Sequence, residues 1–265
     1  MRDRKGNALW QGSMIVHAAG AAAIAAGVVP WESVAAGLAA NHALLCGASV
    51  VPKCDWLGPN LTHLPATARG DVLCLTFDDG PDPDVTPAIL TLLRAADARA
   101  TFFCIGQRAA RHPELIAAIR AAGHGIENHT FHHPNGLAFR GKKAIAREIG
   151  RAQLAIREAG GGTPSLFRAP AGMKNPWMGS AISEQGLSLV TWTRRGFDTV
   201  SRSGTRVAHR LTRQLAAHDI LVLHDGGSAR SASGTPVVLD ALPRVLDAMA
   251  AKSLRSEPVH VAVRL

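Results

Sequence analysis

The 265 residues suffice for one large domain, or for a domain of about 200 residues with an appendage, and 47% hydrophobic content is ample for a core. A net charge of +9 would suit nucleic acid or an anionic membrane. The arginines, however, are scattered along amphipathic segments (Arg147, Arg151, Arg157, Arg206, Arg210, Arg213) with no nucleic-acid motif, which excludes nucleic acid and leaves the membrane. The four cysteines, Cys46, Cys54, Cys74 and Cys104, have neither metal spacing nor the pattern of a disulfide framework; Cys74 and Cys104 sit inside apolar runs and read as core.

The chain opens on a basic stretch, Met1-Arg2-Asp3-Arg4-Lys5, and continues into an alanine-rich apolar run over 14–29. Pro30-Trp31-Glu32-Ser33 interrupts it, and a second apolar run covers 34–51. Each run is near the minimum for crossing a bilayer, and each carries polar residues, His17 in the first and Asn41 and His42 in the second. A signal peptide cut near Val34-Ala35-Ala36 and a soluble helical pair both fit these residues. A second apolar run straight after that cleavage position favours a membrane-inserted helical hairpin over 1–52. The basic end then stays cytoplasmic, and two passes return the rest of the chain to the same side. A linker with Pro, Gly and Asn follows over 53–70.

From residue 71 to 265, short apolar runs alternate with longer amphipathic ones. The strand candidates end at Phe77, Cys104, Asn128, Arg168, Trp192, Leu223 and Val263, and helices are predicted over 87–95, 107–122, 142–159, 176–185, 205–217 and 236–251. Such alternation predicts an α/β domain of parallel strands with crossover helices: a distorted (β/α) barrel of about seven strands. Chemistry in such barrels belongs at the carboxyl ends of the strands, where this sequence places its unusual polar residues.

The first of these ends is Leu73-Cys74-Leu75-Thr76-Phe77-Asp78-Asp79-Gly80-Pro81-Asp82. Adjacent carboxylates repel, so one is best neutralised by a cation while its neighbour is free to take a proton; a metal ligand beside a general base satisfies this, and so does a solvated turn. The third strand is followed by Glu127-Asn128-His129-Thr130-Phe131-His132-His133-Pro134. The spacing of His129 and His133 puts both rings on one face of a helical turn, and with Asp79 they make a three-ligand set with positions left open. That set suits zinc and tolerates cobalt or nickel. His132 points elsewhere by the same geometry. A solvated histidine loop fits as well. Arg168, in Leu166-Phe167-Arg168-Ala169-Pro170-Ala171-Gly172, can pair with Asp78, and the Pro/Gly backbone after it can turn an N–H toward an oxyanion. Thr191-Trp192-Thr193-Arg194-Arg195-Gly196-Phe197-Asp198-Thr199 comes next. Ile220-Leu221-Val222-Leu223-His224 ends an apolar strand in a histidine able to protonate a leaving amine, kept charged by a carboxylate such as Asp198.

With these segments together, the region from about Asp71 onward resembles the polysaccharide deacetylases of carbohydrate esterase family four, the NodB homology domain, in its membrane-anchored bacterial form. The resemblance implies a metal-dependent hydrolase that removes N-acetyl groups from the amino sugars of a polysaccharide, oligosaccharide or glycan precursor. By it Asp78 is the base, Asp79, His129 and His133 hold one divalent ion, Arg168 holds the base, the Ala171 backbone meets the oxyanion, and His224 is the acid. The fourth motif departs: Arg195 stands in place of the first aspartate, Asp198 matches the second, and Thr199 replaces a tryptophan. One wall of the acetyl pocket is thereby lost, and a positive charge is added near the cleft. A deacylase or deformylase of a lipid-linked amino sugar or small amide, and an inactive glycan binder, are the competing readings; a binder has no need of a base and an acid together. A monomer attached to the bacterial inner membrane is expected.

Overall fold

The computed structural model describes residues 8–264; Arg2, Arg4 and Lys5, on which the topology argument rests, lie outside them. Two helices, α1 (Ala8–Ala25) and α2 (Trp31–Val50), pack antiparallel. Their seam is made of small and polar side chains. Asn41 donates to the Ser13 hydroxyl at 2.8 Å, the His17 and His42 rings meet edge-on at 5.1 Å, and a Cβ added to Gly20 would come within 2.7 Å of Val34. The larger apolar side chains, Met14, Ile15, Val16, Ile24 and Leu44 among them, face outward and are exposed. A water-soluble pair would reverse that pattern.

The stretch after α2 is strapped to the domain. Lys174 is 2% exposed, and its ammonium donates to three carbonyls of this strap, those of Val51 (3.1 Å), Pro52 (2.9 Å) and Cys54 (2.6 Å). Its backbone N–H reaches Ser49 at 3.0 Å, and the Ser49 hydroxyl returns a bond to the Lys174 carbonyl. Leu57 and Leu64 are buried, Leu61 bridges in parallel to Val190, and the Leu64 N–H bonds to His218 at 2.9 Å.

The domain is a single parallel sheet in the order β5-β4-β3-β2-β1-β7-β6, curled into a partial barrel, with β8 paired to the start of β1. The strands are β1 (Val72–Asp78), β2 (Ala100–Cys104), β3 (Gly125–Asn128), β4 (Leu166–Phe167), β5 (Ser188–Leu189), β6 (Arg194–Arg195), β7 (Ile220–His224) and β8 (Arg255–Ser256). All of β1, β2, β3 and β7 is buried, as expected of strands covered on both faces. Crossovers are made by α3 (Thr86–Ala95), α4 (Gly106–Arg111) and α5 (Pro113–Ala121), α6 (Lys142–Glu158), α7 (Met178–Ser183), α8 (Gly204–Thr212) and α9 (Val237–Ala250); a last turn, α10 (Val259–Ala262), closes the described chain.

Three expectations are corrected. The helix predicted over 107–122 is two, because Pro113 cannot donate to residue 109 and so starts a new helix after His112. No strand ends at Val263: Val259–Ala262 is helical, and the last strand is Arg255–Ser256. The strand predicted to end at Trp192 stops at Leu189, and the chain then crosses to the opposite sheet edge, where Arg194–Arg195 pairs with β7.

Replacing Lys174 by Met would leave three carbonyls of the strap without their donor, at a cost of about 1–3 kcal/mol. Limited proteolysis of full-length protein should then cut within 50–60 well before the domain is degraded; an unchanged cleavage pattern would show that the strap holds by apolar packing alone.

Candidate active site

The sheet register gathers the site. Asp78, the last residue of β1, pairs with His224, the last of β7, and β2, β3 and β4 end level with them at Cys104, Asn128 and Phe167. Asp79 then leaves the sheet in the left-handed region, φ 73°, turning its carboxylate away from that of Asp78.

Asp79 Oδ1 lies 3.2 Å from His129 Nε2 and 3.1 Å from His133 Nε2, and the three ligand atoms fall within 4.8 Å of one another. The expected helical turn is absent. Thr130 (φ 66°) and His133 (φ 54°) are left-handed, and the loop between them bends so that both rings reach one point. Asn128 accepts the Thr130 N–H, the Thr130 hydroxyl accepts the His133 N–H, and the first N–H groups of α4, at Gly106 and Gln107, bond to the carbonyls of Thr130 and Phe131. His129 Nδ1 donates to the Arg168 carbonyl at 2.8 Å, which leaves its Nε2 lone pair aimed at Asp79. His132 turns away, as its spacing implies, onto Glu148 at 2.9 Å.

Asp79 Oδ1 is buried without a conventional hydrogen-bond donor, while two imidazole nitrogens face it. Two nitrogens and a carboxylate oxygen converging in this way fit a divalent ion. Burial alone would raise the Asp79 carboxyl, but the histidines around it, His129 foremost and then His133 and His224, hold it well below the usual carboxylate range whenever they carry charge. Burial lowers His133, and the neighbouring His129 charge adds to the effect.

Arg168 is fully buried. It donates to Asp78 Oδ1 and to the Thr76 hydroxyl, each at 2.7 Å, and to the carbonyls of Thr191 (2.8 Å) and Val190 (3.4 Å), with its guanidinium carbon 4.1 Å from the Phe103 ring centroid. After it Ala171, left-handed at φ 55° and exposed, turns the Pro170–Gly172 segment at the cleft. Asp198 is buried and takes both the His224 N–H (2.8 Å) and its Nδ1 (2.9 Å), leaving Nε2 free. Burial would lower the His224 pKa, but Asp198, with Asp78 and Asp79 behind it, wins and raises it above the ordinary value. Arg195 lies against both the Trp192 and the Phe197 ring, 5.3 and 5.0 Å from their centroids, with its Nε buried and unpartnered.

Sequence reasoning missed three contributors. Asp225 is fully buried beneath Gly80, where an added Cβ would strike its carboxylate; burial pushes that carboxyl up to about 7 against the pull of the Thr86 hydrogen bond. In sequence, Asp225-Gly226 reads as a turn. Trp192 packs on Gly172, where a Cβ would meet the ring at 2.5 Å. Glu148, a single acid on an amphipathic helix, carried no signal, yet it accepts both the His132 N–H and ring.

The family model of polysaccharide deacetylases matches residues 66–190. A chitooligosaccharide deacetylase of Azorhizobium caulinodans is 33% identical over 200 residues, 73% of this chain and 95% of the relative. A peptidoglycan-N-acetylglucosamine deacetylase of Bacillus cereus is 34% identical over 60% of this chain and 75% of its own length. Among solved structures, a family 4 carbohydrate esterase from Streptomyces lividans in complex with acetate is 36% identical, with a TM-score of 0.64, over 72% of this chain and 93% of that one. The chain belongs to the polysaccharide deacetylase family, carbohydrate esterase family four, and is a hydrolase of non-peptide carbon–nitrogen bonds.

One divalent ion per chain is expected by elemental analysis, with His129→Ala or His133→Ala losing it. Glu148→Ala should weaken retention about tenfold in chelator competition, since it frees the loop between the two histidines, and Glu148→Gln should weaken it less. Equal retention by Glu148→Ala and wild type would remove Glu148 from any role in holding the loop.

Proposed function

We propose that the protein is a metal-dependent deacetylase that removes N-acetyl groups from the amino sugars of a glycan or glycan precursor. The observation that carries this reading is the pairing of Asp78 and His224 across adjacent strands, beside the Asp79/His129/His133 cluster. An ion there, with zinc the best match to one carboxylate and two imidazoles, supplies Lewis-acid polarisation of an acyl carbonyl and activation of water.

The remaining work falls to side chains and backbone. Asp78, fixed by Arg168, takes the proton of the attacking water. The Ala171 N–H meets the oxyanion as the carbonyl carbon becomes tetrahedral. His224, held charged by Asp198, gives its proton to the departing amine, and acetate and the free amino sugar result. The carbonyls of Thr191 and Val190 orient Arg168, so Asp78 is pre-positioned before substrate arrives.

The two N-terminal helices are apolar and long enough to cross a bilayer, at about 27 and 30 Å. Anchorage in a bacterial inner membrane is supported by their outward-facing apolar side chains and by tryptophans at the two ends of the pair, Trp10 beside the domain and exposed Trp31 at the tip. The strap leaves no free tether between α2 and the domain. This favours, as a second reading of the substrate, an amino sugar carried on a lipid over a polymer distant from the bilayer.

Purified full-length protein should release acetate from one or more of N-acetylglucosamine oligomers, peptidoglycan fragments and lipid-linked N-acetylamino sugars; inactivity on all three with metal bound would refute the deacetylase reading. Asp78→Asn should nearly abolish turnover while keeping metal, because the ligand is its neighbour.

The raised pKa of His224 means that the acid stays protonated to higher pH, and activity falls on the alkaline side as it loses its proton. Asp198→Asn removes the largest stabiliser of the charged ring, so the alkaline limb should move to lower pH. A limb that stays put would assign the acid to another group.

The anchor has its own test. Full-length protein should sediment with membranes and resist carbonate extraction, and its recovery in the soluble fraction with an intact N-terminus would count against insertion.

A further inference from the structure

Two loops leave the cleft end of the sheet beside the hairpin, and each carries an exposed aromatic ring. Phe139, in the loop that follows His133, is 87% exposed, and Trp177, in the segment after Ala171, is 41% exposed. A single exposed ring means little, but exposed rings held together in one patch mark an interaction surface. Asn175 ties the two loops together: its amide donates to the carbonyls on either side of Phe139, Ala138 and Arg140, at 2.9 Å each, and its oxygen accepts the Trp177 N–H at 3.0 Å. The Trp177 ring in turn meets the Trp10 ring of α1 at 4.8 Å, edge to face. The Trp177 ring and the backbone that carries Phe139 are thus held beside the hairpin end nearest the domain.

The basic residues beside them are of one kind. Arg140 and Lys143 are exposed within four residues of Phe139, whereas Lys142 is committed to Glu184. Aromatic rings flanked by free cations, continuous with two apolar helices, match the chemistry of an anionic headgroup layer.

We propose that the rim formed by Phe139, Trp177, Arg140 and Lys143 is a second membrane contact, which seats the flank of the cleft on an anionic bilayer. This rests on insertion of the hairpin. It goes beyond anchorage, because a tether alone fixes the distance of a domain from the bilayer but not which face it presents. The Lys174 latch and the Trp10–Trp177 contact remove the freedom to swivel, and the rim then faces the headgroups. The cleft mouth beside His133 and Ala171 opens along the lipid surface.

The test uses full-length protein with Cys46→Ser and Cys54→Ser, reconstituted in vesicles of phosphatidylglycerol and phosphatidylethanolamine. Single spin labels are placed at Phe139→Cys and Trp177→Cys, with Val261→Cys, an exposed site at the opposite end of the sheet, as the aqueous reference. A label on native Cys46, with only Cys54 replaced, reports the hairpin. Labels at 139 and 177 should collide with oxygen in preference to an aqueous nickel chelate, several-fold more than the label at 261. Arg140→Glu with Lys143→Glu should move the label at 139 toward the aqueous value. A lipid-phase label at Cys46 with labels at 139 and 177 matching 261 would overturn the rim and spare the hairpin. Aqueous labels at all four positions would overturn both.

Discussion

A buried guanidinium organises this site. Arg168 is fully enclosed, and removing a charge of that kind from water is costly unless every donor finds an acceptor. Its acceptors come from two distant parts of the chain: Asp78 and Thr76 on β1, and the backbone of Val190 and Thr191 beyond β5. The backbone of the same residue takes the His129 ring nitrogen. One residue therefore sets the position of the carboxylate proposed as base and the orientation of a proposed metal ligand. Neither could drift without the other.

The parallel sheet does the rest of the gathering. Because Asp78 and His224 are register partners, the proposed base and acid stand about one strand spacing apart, roughly 5 Å, before any side-chain adjustment. Left-handed residues then aim the groups that the sheet cannot. Asp79, Thr130, His133 and Ala171 all take positive φ, a conformation costly for side chains of these types, and all four lie at the site. Such strain is sustained by dense local bonding, and the loop from Asn128 to His133 has it: Asn128, Thr130, Glu148 and the start of α4 all bond to its backbone.

The alternation of apolar and amphipathic runs made the parallel α/β architecture readable, because fully buried strands and half-buried helices have different periods. Adjacent carboxylates at Asp78 and Asp79 and the histidines four apart pointed to the cluster. What spacing could not supply was backbone shape: the two histidines converge through left-handed residues, not through a helical turn. The two-residue strand Arg194–Arg195 was illegible for another reason. Its pairing with β7 depends on the crossing of the chain from β5 to the opposite sheet edge, which no local propensity encodes. Glu148 and Asp225 were invisible because their importance lies in what they are buried against.

The fourth motif shows how a substitution read from sequence changes meaning in space. Thr199 in place of a tryptophan reads as the loss of a pocket wall. Yet Trp192, earlier in the same segment, presses on Gly172 in the turn that holds Ala171, so closely that no side chain fits there. Arg195 also stands against that indole, and against Phe197. An indole packed on the glycine turn and touched by a guanidinium offers an apolar surface close to the proposed oxyanion donor. Those are the properties that a wall around a small acyl group requires. In the proposed deacetylase reading, the Trp192 ring would therefore serve as a wall of the acyl site, and the charge that replaces an aspartate in the motif stands against that indole.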